Sequence, residues 1–369
     1  MTKNIGVKDI GKIFVTHLHA DHVSGLLGVI LQKEMGARPH TSTSTSTSTS
    51  NSNSNSNSNS NSSAKAQDQR HQHQQREQEE SQVLEIYGPV GIFNFIAMNV
   101  SLTSSKIRNM ELIIHELVRK SDQHTHTTTT KNVQKKIYPE LARLGITRKT
   151  IQQGDDGVWT IQSGDKMKED DVQGRNAHSR ISIKAAEVQH VPNVQTLGYV
   201  LEETHPPARI DVEKAKLLGI APGPKYRALK NGFNVMSDDG EREVLAIDVI
   251  VKGRGEKKAR KLAVLGDASR VPQPMRRLCR NADLLIYEAT LEEGSEHVSR
   301  QRGHSTARMA GKFALEVNAK ILAMNHISGR HDGQDSINSM VKSAEEGNKG
   351  MSDIVVAHDF MMVQIPYPR

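Results

Sequence analysis

The chain has 369 residues, of which 36% are hydrophobic and only 4% aromatic; much of that shortage of core formers sits in one polar tract, and the remainder suffices for one large domain. A formal net charge of +7 favours a polyanionic partner without identifying it. The single cysteine, Cys279, excludes an internal disulfide and a thiolate zinc cluster, so any metal must be held by histidine and carboxylate in a reducing, intracellular setting, and no apolar run of about 18 residues predicts a membrane span.

Residues 12–16, KIFVT, read as a buried strand. The chain leaves it through HLHADHVSG, which sets His17, His19, Asp21 and His22 on the exit loop, and residues 26–35 predict a helix behind them. Open α/β architectures place ligands at such strand exits. From His40 to about Gln82, TSTSTSTSTS and NSNSNSNSNS run into a Gln, Glu and His-rich stretch that cannot bury enough apolar area to offset backbone entropy. We expect a disordered insertion there, with His71 and His73 a matter of composition, and HTHTTTT at 124–130 is a smaller case.

LEIYGPVGIFNFIAMNV predicts a strand, a Gly-Pro turn and a helix, whereas the IHELVRK run fits strand or helix equally. RISIKAAEVQHVPNVQTLGYVLEE gives strand-like runs flanking His190. Residues 206–232 hold a short helix candidate, a Pro and Gly-rich bend and a basic segment; the cations between 252 and 261 read, on composition, as a solvated face. KLAVLGDASR and DLLIYEAT place Asp267 and Glu288 at strand ends, and GHSTARMAGKFALEVNA is a loop entering a helix capped by Ser305 or Thr306. AKILAMNHISGR puts His326 at the end of another strand, and residues 353–366 read as final strand pairs.

Four polar groups at one strand exit would be costly to bury unless something paired them. Alternation along an extended loop sends His17 and His19 toward one point, with Asp21 and His22 facing an adjacent one. Imidazole and carboxylate without thiolate suit Zn2+ in a hydrolytic site, although Mn2+ or Fe2+ fits the same atoms. Two metals about 3.5 Å apart need more ligands than this cluster supplies. His190, Asp267 and His326 can supply them: each alone also reads as a satisfied polar or turn residue, but their common position at strand ends favours the ligand reading for all three. Such a dinuclear centre would lower the pKa of water and polarise a phosphoryl oxygen, so metal-assisted hydrolysis is the expected reaction. Phosphodiester, thioester, lactone and β-lactam all remain open as substrates.

Taken together, FVTHLHADHVSGLLG, HVPNVQTLGYVLEE, APGPKYRALKNG, LAVLGDASR, DLLIYEAT, GHSTARMA and AMNHISGR resemble the metallo-β-lactamase superfamily, and within it ribonuclease Z, the tRNA 3′-processing endonucleases, in their short form. The resemblance implies an α/β fold, a four-layer αββα sandwich. It implies one zinc on His17, His19 and His190, a second on Asp21, His22 and His326, and Asp267 bridging them, for two Zn2+ per chain. Asp21 would handle the proton of the attacking water, His304 would protonate the leaving oxygen, and Glu288 would orient His304. The implied substrate is precursor tRNA, cut just 3′ of the discriminator nucleotide to leave a 3′-hydroxyl on the tRNA and a 5′-phosphate on the trailer. Residues 201–260 correspond to an arm that grips tRNA through Lys225, Arg227 and Lys230, while Ser328 and Arg330 beside His326 become candidates for phosphate contacts. Enzymes of this form are homodimers in which one subunit's arm presents tRNA to the other's site. A homodimer is therefore expected, without a membrane partner, in the cytoplasm, nucleus or an organelle.

The expected organisation is a catalytic domain over 1–39 and 83–369, the low-complexity insertion at 40–82 and the arm at 201–260. The family places at least two strands and a Gly-rich loop ahead of the histidine cluster, where this chain has sixteen residues, so a fold incomplete at its N-terminus is expected. Ala268 stands where the family usually has threonine, and His331 where an aromatic is usual. Two alternatives accompany this reading: a superfamily hydrolase of small esters or phosphodiesters with the arm as a lid, and an inactive RNA-binding fragment.

Overall fold

The computed structural model describes residues 6–37, 83–122, 144–161, 180–204, 210–230, 233–251, 259–329 and 333–365. The expected insertion at 40–82, the HTHTTTT stretch, the cations at 252–258 and Arg330 lie outside the described residues.

Strand β1 (Lys12–Phe14) leads through the histidine loop into α1 (Ala20–Val23) and α2 (Leu26–Gly36). Strand β2 (Val83–Pro89) turns at Gly91 into α3 (Ile92–Leu102), and β3 (Glu111–Val118) and β4 (Ile146–Gln152) follow. These four strands form a parallel sheet in the order β1-β2-β3-β4, with β1 at its edge. The ambiguous IHELVRK run is β3, and it shows no alternation because it is buried on both faces. Its two buried polar residues are satisfied in place: His115 contacts Glu85, and Glu116 accepts from the backbone N–H of Gly91 and Phe93 and pairs with Arg148.

Strands β5 (Val158–Ile161), β6 (Arg180–Val188) and β7 (Thr196–Thr204) open the second sheet. The chain then leaves the sheet for a small unit containing α4 (Val212–Leu217), α5 (Pro224–Lys230), the β8 (Val235–Met236) and β9 (Glu243–Val244) ribbon, and α6 (Ala246–Val249). That unit has its own core of Ala215, Ile220, Leu229, Val244, Ala246 and Val249, and an Ile210 to Ile250 bridge closes its neck. The end of β7 and Arg260 stay in the main sheet, where Glu203 holds the Arg260 guanidinium, so the excursion is narrower than residues 201–260.

The chain returns with β10 (Lys261–Leu265), α7 (Gln273–Cys279), β11 (Leu284–Glu288), α8 (Ser299–Arg302), α9 (Ala307–Glu316), β12 (Ile321–Asn325), α10 (Gln334–Asn348) and β13 (Asp353–Val356). The second sheet has the order β13-β12-β11-β10-β7-β6-β5. The expected closing pair of strands is a single one. After Ala357 N donates to Met324 O, the chain turns at Phe360, whose φ of 61° cannot continue an extended strand.

The layers follow from the side-chain alternation. In β2, Leu84 and Ile86 join Ile30, Ile92 and Ile96 in a core beneath α2 and α3, while Tyr87 faces the other sheet. Between the sheets lie Tyr87, Leu117, Trp159, Ile161, Leu197 and Tyr199, with the Trp159 indole donating to Val118 O and the Tyr199 hydroxyl to Val15 O. Each such fully buried side chain contributes about 1.5–3 kcal/mol. On the far face of the second sheet, Leu285, Leu322 and Met324 pack against Met275, Phe313 and Ala344 of α7, α9 and α10. The result is an αββα sandwich.

Candidate metal centre

Strand direction gathers the polar residues at one end. β10, β11 and β12 run parallel, and β6 runs with them because β6–β7 and β7–β10 are both antiparallel. The exits of β6, β10, β11 and β12, carrying His190, Asp267, Glu288 and His326, therefore open on the same edge. β1 is brought to that edge from the first sheet by Leu197 N donating to Thr16 O. The His190 and Asp267 loops are bonded to each other, Gln189 N to Arg270 O and Ser269 N to Gln189 O. Gly266 allows this convergence: a Cβ there would lie 2.8 Å from Thr16 Cβ and from Thr196 Cγ2.

Seven side chains, Asp267 among them, form one cluster. His17 Nε2 is 3.1 Å from His19 Nδ1, which is 3.2 Å from His190 Nε2. Asp21 Oδ2 is 3.5 Å from His22 Nε2 and 3.4 Å from His326 Nε2. Asp267 Oδ2 reaches both sets, at 3.7 Å from His17 Nε2 and 3.4 Å from both His22 Nε2 and His326 Nε2. Two ligands of a tetrahedral zinc, each about 2.0–2.1 Å from the ion, lie roughly 3.3 Å apart, so these spacings are those of atoms sharing a cation.

The donors suit that role. His17, His190 and Asp267 are buried, yet the buried His22 Nε2 has no hydrogen-bond partner although it lies beside Asp267. A polar atom left unpaired in this way is costly unless a ligand occupies the gap. His190 points its Nδ1 at Gly303 O, 2.8 Å away, which leaves Nε2 for the centre. Gly303, at φ 79°, permits that approach because a Cβ would lie 2.6 Å from His190 Nδ1. His326 itself sits at φ 52°, a left-handed conformation that a non-glycine residue holds only when its surroundings enforce it.

Burial drives His17 down to about 3 and lowers His190, so both rings are neutral and ready to ligate at neutral pH. Burial alone would raise Asp267, but the neighbouring His22, His326 and His17 outweigh it and hold its carboxyl at about 2. The Asp267 contact raises His22.

Beside this cluster, Glu288 ties the surrounding loops together. Its Oε1 accepts from His304 Nδ1 at 3.0 Å, from Ser305 N and from Ala268 N, and its Oε2 accepts from Thr290. Burial pulls His304 down, and the Glu288 hydrogen bond and charge more than reverse it, so His304 is raised. His304 also falls into geometric groups with His190 and Asp267 and with Glu288 and His326. With Nδ1 committed to Glu288, however, only its Nε2 is available. The cap of α9 is Thr306, which accepts from Met309 N, and Ser305 instead donates to Ala268 O.

A family model for the metallo-β-lactamase superfamily matches residues 1–53. Zinc phosphodiesterase ELAC protein 1 from Bos taurus is 28% identical over 98% of this chain and 85% of that protein, and the Mus musculus protein is 29% identical with the same coverage. Ribonuclease Z of Bacillus licheniformis is 27% identical over 97% of this chain and 81% of its own length. The crystal structure of human tRNase Z, short form, superposes with a TM-score of 0.50 at 21% identity, covering 98% of this chain and 82% of that one. The chain is a metallo-β-lactamase-fold protein related to ribonuclease Z. In this fold, the groups of histidine and aspartate at the sheet edge are able to hold metal ions and suit hydrolytic chemistry.

The remaining candidate residues are elsewhere in the structure. Lys225 and Lys230 lie on α5, and the Lys225 ammonium is engaged by Asp238 Oδ1 at 2.8 Å and Ser237 O at 3.1 Å. Arg227 belongs to the same helix, and Ser328 follows His326 in the loop after β12. Sequence reasoning did not find Thr290, whose hydroxyl lies 2.8 Å from His326 Nδ1 and 2.5 Å from Glu288 Oε2. Its only signal was its place in IYEAT, where a threonine two residues after an acid reads as part of a turn.

Proposed function

We infer that the chain is a zinc-dependent endoribonuclease that removes the 3′ trailer of precursor tRNA by hydrolysis after the discriminator nucleotide. One observation carries this reading: Asp267 Oδ2 lies 3.4–3.7 Å from ring nitrogens of both ligand sets, with the Glu288–His304 pair beside it. His17, His19 and His190 would hold one zinc, Asp21, His22 and His326 the other, and Asp267 both. Zinc held by these residues would supply Lewis-acid polarisation of a phosphoryl oxygen and would lower the pKa of water.

The protein's own groups move the protons. The Asp21 side chain is 64% exposed, the one carboxylate of the cluster open to solvent, and is placed to accept the proton of the attacking water. Burial pulls Asp21 upward, but the hydrogen bond with His326 and the neighbouring histidines together outweigh it and lower its carboxyl. His304, raised by Glu288 against the pull of burial, holds its proton more firmly than a free imidazole and donates it from Nε2 to the departing 3′-oxygen. Glu288 holds the ring through Nδ1 for that transfer.

The net charge of +7 and the relatives named as ribonuclease Z support RNA as the substrate class. The 210–250 unit is the proposed tRNA arm, with Lys225, Arg227 and Lys230 contacting the backbone; Lys225 would exchange Asp238 for a phosphate. Ser328 and Arg330 remain proposed phosphate contacts, and the assembly is proposed to be a homodimer. Among the described residues no helix is long and apolar enough to cross a membrane, and the enzyme is proposed to act wherever tRNA is transcribed.

The test supplies the zinc-loaded chain with a precursor tRNA carrying a 3′ trailer and, separately, with a small chromogenic phosphodiester. The account expects tRNA ending in a 3′-hydroxyl at the discriminator and a trailer with a 5′-phosphate. Turnover of the small diester with intact precursor tRNA would refute it.

A further inference from the structure

Thr290 follows β11 by two residues and stands between Glu288 and His326. Its hydroxyl oxygen is 2.5 Å from Glu288 Oε2, 2.8 Å from His326 Nδ1 and 2.9 Å from His326 O. A hydroxyl has one proton to give and two lone pairs with which to accept. The carboxylate is the charged and nearest acceptor, and hydrogen bonds to ionised groups are roughly twice as strong as neutral ones, so the proton goes to Glu288. The oxygen then faces His326 Nδ1 with a lone pair, and the contact is a hydrogen bond only if Nδ1 carries the ring's proton. Nε2 is thereby left bare, 3.4 Å from both Asp21 Oδ2 and Asp267 Oδ2.

We propose that Thr290 is a positioning residue for His326: its hydroxyl, oriented by Glu288, fixes the ring tautomer and angle so that Nε2 faces the second metal position. One buried carboxylate, 1% exposed, would then serve both parts of the site. Its Oε1 holds His304, and its Oε2 acts on His326 through Thr290. The inference rests on the metal-centre reading above and extends it to a residue that would touch neither ion.

Thr290→Val keeps the shape and removes the hydroxyl; Thr290→Ser keeps the hydroxyl; Thr290→Ala is the smaller substitute should valine disturb folding. Each variant, checked for folding by circular dichroism, is stripped and titrated with zinc against a chelating indicator, then with Co2+ while its visible absorption is recorded. Loss of a contact to a metal-bound histidine lowers affinity by about 10–100-fold. That loss is expected for one of two zinc equivalents in the valine and alanine variants, with a changed Co2+ spectrum for that equivalent alone. Serine should restore both to within about threefold. Wild-type affinity and an unchanged spectrum in the valine and alanine variants would overturn the inference while leaving the metal centre intact. So would a serine variant as impaired as valine. A wild-type chain that takes up no zinc would overturn the metal reading and this inference with it.

Discussion

Gly303 is the most informative single position for the first ligand set. Replacing it with alanine places a side chain at φ 79°, where an L-residue costs roughly 1–2 kcal/mol more than glycine. The new Cβ would also lie 2.6 Å from His190 Nδ1 and 2.8 Å from Val191 Cγ1, distances that require the ring or the backbone to move. Such overpacking costs about 1–3 kcal/mol, and loss of the Nδ1 to Gly303 O hydrogen bond adds about 0.5–1.5 kcal/mol. The sum is about 2.5–6.5 kcal/mol, which lowers the melting temperature by roughly 5–25 °C in a domain of this size. Gly294 provides the control, because at φ 84° an added Cβ would meet no described atom within 4 Å, so Gly294→Ala carries the strain without the collision. Thermal unfolding of both metal-free variants, followed by zinc titration, separates the contributions. Gly303→Ala should melt well below Gly294→Ala and lose about 10–100-fold in affinity for one zinc. If the two melt together and bind zinc alike, the packing of His190 on Gly303 does not support the centre.

Other outcomes follow from the same contacts. His304→Ala should lower trailer cleavage by about 100–10,000-fold while leaving the zinc content unchanged, measured by single-turnover cleavage and metal analysis; loss of zinc would show His304 to be a ligand. Glu116→Ala leaves Arg148 without its carboxylate and two backbone N–H groups of the β2–α3 turn unpaired, and should cost about 3–5 kcal/mol in denaturant unfolding. The metal-free chain should lose stability as pH falls from about 6.5 toward 3, because the folded His17 binds its proton at about 3 against an ordinary 6.5. His17 is depressed in the fold, so its contribution is present above the unfolded value and is lost on acidification; His17→Asn should flatten that limb of the stability profile.

The candidate ligands were legible because each is an ionisable residue following an apolar run, and β6, β10 and β12 end close to where those runs end. Their convergence was not, since it depends on strand direction and on Gly266 admitting Thr16 and Thr196. Thr290 was invisible because its importance lies in two partners, one distant in the chain and the other hidden within a local turn. The KIFVT strand stops at Phe14 because Thr16 O turns to Leu197 in the other sheet, a tertiary bond that no local pattern encodes. The C-terminal stretch misled for the opposite reason: DFMMVQIP has strand-like composition, but the backbone at Phe360 leaves the extended region.

Crystals of the zinc-loaded chain, measured at the zinc absorption edge, test the central claim most directly. The account predicts two anomalous peaks about 3.5 Å apart. One should contact His17, His19 and His190, the other Asp21, His22 and His326, and Asp267 should contact both. A single peak, or one ligated by His304 or Glu288, would contradict it.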